Sequence, residues 1–284
     1  MKKRYSIAYR EQGEPLSAER CFAYTVSAGF SETAFSLAGG TIRPEALDAS
    51  RRAGLCAEAL YLPSDGVNLL WEPSPQRERE EDALPSDSPA FNDATWEMLL
   101  SLYTSYFAFA ARVGIARVVF KPTHGKNLVP VTQEALSRFR ALAACAREKG
   151  VHLLVENGES APHFEAAVRV CCEDGFHGVC FAPARAFRCF GTSALPPYAA
   201  EHLMRVSLDD EKDAEPGYLP LDGDTDFRPF AKSLAPLRFR GTLAISPNAE
   251  LPPYRDLDYF GFASRAYDRL SSLLRLLKNE EGIV

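Results

Sequence analysis

At 284 residues, 46% hydrophobic and 25% charged, the chain can bury a large core without help from disulfides. Its 32 Lys and Arg against 38 Asp and Glu leave a net charge of −6, a poor match for a nucleic-acid backbone, which is gripped by dense basic residues. Seven cysteines with no Cys-x-x-Cys spacing read as small core hydrophobes in a reducing compartment rather than as a zinc site or disulfide framework.

The basic start, Met1 to Arg4, is followed by no apolar run long enough for a signal peptide. No window approaches the ~20 apolar residues that span a bilayer. The expectation is a cytoplasmic protein with no membrane and no nucleic-acid partner.

In chain order, short apolar runs that read as strands fall at 5–9, 32–37, 56–62, 116–121, 151–156, 178–181, 203–208 and 241–246. Amphipathic segments alternate with them. In 131–149, Leu136, Phe139, Leu142, Ala143 and Ala146 share one helical face, and 161–174 and 256–278 have the same spacing. Glycines at 29, 54, 114, 150 and 175 sit where a helix end passes into the next strand. Eight strands alternating with about eight helices predict a single (β/α)₈ TIM barrel spanning 1–284. A doubly wound open sheet is the alternative, although no Gly-x-Gly-x-x-Gly follows the first strand to support a dinucleotide site.

Residues 64–93 interrupt the alternation, with Pro73, Pro75, Pro85 and Pro89 and the charge run from Arg77 to Asp82. A loop insertion this long after the third strand is a solvated excursion or a lid. Its apolar part contains Asn68 and Trp71, which are expected to fold back over the barrel mouth and line a pocket.

The fifth run ends abruptly on Glu156 and Asn157. A buried parallel strand has this form, and its carboxyl end is where such folds place chemistry. Glu156 is therefore the leading functional candidate, as a base or as an acceptor for sugar hydroxyls. Lys121 ends the neighbouring strand and is its natural partner, either catalytic or as a salt bridge. Arg185 and Arg188 follow the sixth strand and suit an anion or charge compensation for Glu156. His124, in the loop after the fourth strand, is an acid–base candidate. His152 is read as a core histidine with the same strand parity as Glu156, and Asp222, Asp224 and Asp226 as a turn, since the rest of a calcium loop is missing.

Residues 110–122 (Ala-Ala-Arg-Val-Gly-Ile-Ala-Arg-Val-Val-Phe-Lys-Pro), Val-Glu-Asn at 155–157, Phe-Gly-Thr at 190–192, Val-Ser-Leu-Asp-Asp at 206–210 and Leu-Asp-Gly-Asp-Thr-Asp-Phe at 221–227 together resemble the xylose isomerase-like TIM-barrel superfamily of sugar and sugar-phosphate isomerases and epimerases. The resemblance implies a divalent metal held by Glu, Asp, His and Glu at four strand ends, where it would stabilise an enediolate. Carried over by position, the first ligand is Glu156. The second falls in Ala182-Pro-Ala-Arg185, the third on Ser207 with Asp210 retained nearby, and the fourth on Ser246. Tyr61 and Lys121 stand where relatives often carry histidine, and with five histidines in all (124, 152, 163, 177 and 202) the many-histidine zinc site of the apurinic endonuclease branch is disfavoured.

One carboxylate does not hold a divalent ion, so the usual Mn, Mg or Zn centre is expected to be lost and no cofactor is assigned. A replacement site from Glu156, His124 and Asp210 is the alternative. The expected partner is a small sugar, polyol, sugar phosphate or other anionic metabolite, taken by an isomerase/epimerase-like enzyme, by a non-catalytic binding protein, or by a metal-dependent isomerase with a rearranged site. Expected catalytic residues are Glu156, Lys121 and His124. Expected binding residues are Asn157, Arg185, Arg188, Asp210, Trp71 and Asn68.

Overall fold

The computed structural model describes residues 4–9, 17–37, 42–73, 95–125 and 128–280. Eight parallel strands close into a barrel: β1 (Arg4–Ala8), β2 (Glu32–Ser36), β3 (Cys56–Tyr61), β4 (Arg117–Phe120), β5 (His152–Glu156), β6 (Gly178–Phe181), β7 (Leu203–Ser207) and β10 (Thr242–Ile245). Each pairs with its sequence neighbours, and β10 closes the ring onto β1. Helices alternate with them: α1 (Ala18–Ala28), α2 (Pro44–Arg52), α3 (Trp96–Arg112), α4 (Gln133–Glu148), α5 (Ala161–Cys171), α6 (Pro183–Phe190), α7 (Pro197–Ala200), α8 (Arg228–Leu234) and α9 (Tyr259–Glu280). The predicted TIM barrel is the observed fold, closed rather than open.

Local chemistry explains the repeat. Helix α4 starts where the Thr132 side chain accepts a bond from the Ala135 amide, filling one of the unpaired donors of the first turn. Phe139, Leu142 and Ala146 bury its inner face completely. It stops at Gly150, whose φ of 69° is left-handed and cheap only without a side chain. The next amide, Val151, bonds back to Ala146, and the strand begins. Gly29 ends α1 in the same way, and there a Cβ would also lie 2.8 Å from the Tyr267 ring.

The main core lies between barrel and helices, with Phe22, Phe35, Phe107, Phe120, Phe139 and Phe164 fully buried. Inside the barrel is a smaller apolar layer of Ala34, Ala59, Val119, Leu154 and Cys180. Small side chains there leave room for longer polar ones. Pairing skips Glu58 between β2 and β3, and skips Met204 between β6 and β7. Such bulges re-aim neighbouring side chains, and Glu58 and Arg205, from these two strands, meet in a fully buried ion pair.

Two features depart from the sequence reading. An antiparallel hairpin, β8 (Asp210–Lys212) and β9 (Glu215–Tyr218), follows β7. Its turn residues, Asp213 and Ala214, both have positive φ, as a tight hairpin requires. The start of the 64–93 segment is a single helical turn, Val67–Leu70, that leads Trp71 into the core. Residues 74–94 lie outside the described residues, and with them the rest of the expected lid.

Candidate functional site

The carboxyl ends of the barrel strands surround a cavity of about 380 Å³, where parallel barrels place their sites. Glu156 ends β5 and is 3% exposed. Arg185, in the first turns of α6, donates from Nη1 to Glu156 Oε2 at 2.9 Å and to the Asn157 carbonyl at 3.3 Å. Lys121 Nζ lies 3.6 Å from the same carboxylate oxygen. Burial alone would push the Glu156 carboxyl up, but Arg185 and then Lys121 outweigh it and hold it below the usual carboxylate range. Lys121 is lowered from the usual lysine range, first by burial and then by repulsion from Arg185.

Glu156, Lys121 and Arg185 therefore come together as expected. The other candidates lie elsewhere. Asn157 is fully buried and clamps residue 182, donating to its carbonyl at 3.0 Å and accepting from its amide at 2.7 Å. The Asp210 carboxylate is fully buried and accepts from the amides of Glu211, Leu221, Gly223 and Thr225. It holds a loop rather than a ligand, because its lone pairs already have donors. Trp71 does not line the cavity: it donates to the Pro122 carbonyl at 2.6 Å and packs on Phe139 and His163. Asn68 spans the backbone of residue 124, accepting from its amide and donating to its carbonyl. His124 is exposed, with Nδ1 3.2 Å from the Ser64 hydroxyl. Arg188 reaches the hairpin, with Nε 3.1 Å from Glu211 Oε2. His152 caps the other end of β5, stacked on Phe176 with Nδ1 2.7 Å from its carbonyl. Asp222 faces α9, within ion-pair distance of Arg265 and Arg269, so the 222–226 turn is a docking turn.

Among the lining residues that the sequence did not offer as site candidates are Tyr61, Asp209 and Glu211. Strand parity could have found two of them. Ser207 faces the cavity, and continuing that face by twos reaches Asp209 and Glu211, not Asp210. Asp209 accepts from the Ser207 hydroxyl at 3.2 Å and from the Ser246 amide. Burial raises the Glu211 carboxyl above its ordinary range, against the pull of Arg188 and Arg185.

The four positions matched to the family's metal ligands, Glu156, Ala182, Ser207 and Ser246, do converge on this cavity. They offer one carboxylate, one methyl and two hydroxyls, and the carboxylate already holds a guanidinium. That donor set does not fit a divalent ion, which is bound by several anionic or strongly polar ligands. The replacement trio fails as well, since Asp210 is occupied and His124 is not among the residues that line the cavity. Among the described residues no group of three or more His, Cys, Asp or Glu side chains is placed to hold a metal.

No protein-family model and no curated protein matches the sequence. Solved structures do. The chain shares the fold of xylose isomerase-like sugar epimerases and isomerases. An L-ribulose 3-epimerase superposes with a TM-score of 0.66 at 15% identity, covering 99% of this chain and 98% of that one. A D-allulose 3-epimerase from Methylomonas sp., in complex with D-allulose, gives 0.65 at 14% identity, covering 96% of each. The IOLI protein with a bound zinc atom gives 0.66 at 10% identity, covering 98% of this chain and 99% of that one. At these identities the likeness is one of fold. No helix of the described residues is long and apolar enough to cross a membrane.

Proposed function

We propose that the cavity binds a small sugar, polyol or sugar phosphate without a divalent metal, the Arg185 guanidinium occupying the place beside Glu156 that a metal takes in the resembled family. The contact that supports this most directly is the 2.9 Å Arg185–Glu156 bond at the point where the four ligand positions converge. A guanidinium has fixed donors that suit hydroxyl, carboxylate and phosphate oxygens. Glu156, Asp209, Ser207 and Ser246 supply acceptors and hydroxyls around it. The sugar epimerase fold supports the ligand class, and D-allulose occupies one of the superposable structures.

Glu156 is a weak base here, because its carboxylate is held ionised by two cations. Lys121 favours a second reading, proton transfer at a carbon beside a carbonyl. Burial and Arg185 ease deprotonation of its ammonium, which brings an amine closer to the pH at which a general base works.

The test is binding of a ketose, polyol and sugar-phosphate panel to protein treated with EDTA, followed calorimetrically. Binding should survive chelation and fall with Arg185→Met. Binding that appears only after Mn, Mg or Zn is added would overturn the metal-free reading. Incubation of the bound sugar in deuterated water separates the two readings: exchange at carbon that Lys121→Met abolishes establishes proton transfer, and no exchange leaves a binding protein.

A further inference from the structure

We infer that the Tyr61 hydroxyl is a ligand-contacting hydrogen-bond donor, set in place by the buried Arg205 and by Ser246, and that it takes a carbonyl or other acceptor oxygen of the bound sugar. This rests on the sugar-binding reading above and assigns it a second recognition point.

Tyr61 ends β3 and lines the cavity, with the apolar barrel layer packed beneath it. Its oxygen receives two hydrogen bonds, from Arg205 Nη1 at 2.5 Å and from the Ser246 hydroxyl at 3.4 Å. An arginine can only donate, so the direction of the shorter bond is fixed. Both acceptor positions of the tyrosine oxygen are then filled, and among the described residues none accepts its proton. Ala34, Ala59 and Val119 close the apolar side. The remaining direction is the cavity.

Arg205 is 0% exposed and cannot move to follow a ligand. Nε bonds Glu58 at 2.9 Å, Nη1 lies 3.4 Å from Cys180 Sγ, and the guanidinium stacks over the Tyr61 ring at 5.0 Å. Glu58 is shared: Arg117 lies 3.8 Å from its other oxygen. Of the charged groups that act on the phenol, Arg205 supplies the positive charge, against Glu156 and Asp209. A hydroxyl polarised by that charge donates well and is a poor base. Burial also holds the Tyr61 phenol well above its ordinary range despite Arg205, so the proton is present at physiological pH. Donors fixed in a dry, low-dielectric site act strongly on an oxygen that carries partial negative charge.

The experiment uses the full chain labelled with ¹³Cζ-tyrosine, with D-allulose and D-fructose 6-phosphate as probes. At least one probe should shift the Tyr61 Cζ resonance, and Tyr61→Phe should weaken its binding about tenfold, the worth of one neutral hydrogen bond. Thermal unfolding of Tyr61→Phe checks that the fold survives. A probe that binds wild type and Tyr61→Phe equally overturns the inference and leaves the sugar site standing. Failure of both probes to bind wild type overturns the inference together with the reading beneath it. Without ligand, the Tyr61 resonance should stay protonated while exposed tyrosines ionise. Ionisation alongside them overturns the donor role whatever the probes do. Arg205→Lys keeps the charge and loses the fork, so it should move the ligand-free Tyr61 resonance. An unmoved resonance removes Arg205 as the positioning residue.

Discussion

Helix α6 carries two arginines three residues apart, and each meets a buried carboxylate at the cavity, yet the two carboxylates are held in opposite ways. On the barrel side, Glu156 accepts an aligned bond from Arg185 and has Lys121 as a second cation. On the hairpin side, Arg188 Nε stands 3.1 Å from Glu211 Oε2, but that oxygen has no aligned hydrogen bond, and Asp210 adds like charge beside it. Glu156 is held below the ordinary range and Glu211 above it. Proximity to an arginine is therefore not what decides the ionisation of a buried carboxylate. Bond alignment and the like charge of Asp210 decide it, because burial penalises the charge and several cations oppose that penalty in both places.

Breaking the barrel-side pair should have the largest effect. Arg185→Met leaves Glu156 buried with only Lys121, at 3.6 Å, and removing one partner of a buried pair costs about 3 kcal/mol. The sign follows from the lowered carboxyl. Its contribution is present above the unfolded carboxylate pKa and is lost as pH falls through the still lower folded value. Urea unfolding should therefore show the full deficit at pH 7 and a shrinking one in acid. An equal deficit at both pH values would mean that lost packing, not charge, is responsible.

That contrast also shows where the sequence was readable. The barrel was legible because apolar runs, helix caps and glycines such as Gly150 act over three or four residues. Glu156, Lys121 and Arg185 were legible because they stand at or just beyond strand ends that the runs marked. The hairpin was not, because its tight turn is built on Asp213 and Ala214 rather than on the Asn-Gly pair that advertises one. Without the hairpin, Asp210 looked like a ligand and Glu211 like nothing. Trp71 and Asn157 were misplaced for a related reason: a polar or aromatic side chain near a strand end can as well fasten a neighbouring loop, and only the fold shows which carbonyl lies within reach. Glu58 and Arg205 became a pair through two bulges, which no periodicity announces.

Glu211→Gln tests the other side of the comparison, with a smaller effect of opposite sign. A carboxyl raised on folding contributes stability below its unfolded pKa and loses it as pH rises through the folded value. The amide removes a buried charge that lacks an aligned partner, so the variant should gain about 1 kcal/mol at pH 8. Near pH 3.5, where the wild-type carboxyl is already protonated, it should gain nothing. Unfolding at the two pH values measures the difference. A loss at pH 8 would show that Arg188 stabilises the ionised hairpin after all.

Arg188→Gln is the finest test, since it changes one cation and leaves both carboxylates in place. The Arg188 side chain is one-third exposed, and water screens such pairs, so stability should change by no more than about 0.5 kcal/mol. The titration is where the effect belongs. Arg188 is the largest pull opposing burial at Glu211, so without it the Glu211 carboxyl should titrate higher still. Glu156 should not move, because the cations that act on it are Arg185, Lys121 and Arg205. Carboxyl-¹³C NMR of the variant reads both groups in one experiment. A Glu211 resonance that titrates as in wild type would assign its raised value to burial and Asp210 alone, with Arg188 serving only to hold the hairpin through the Ala214 carbonyl, 3.4 Å from its Nη1.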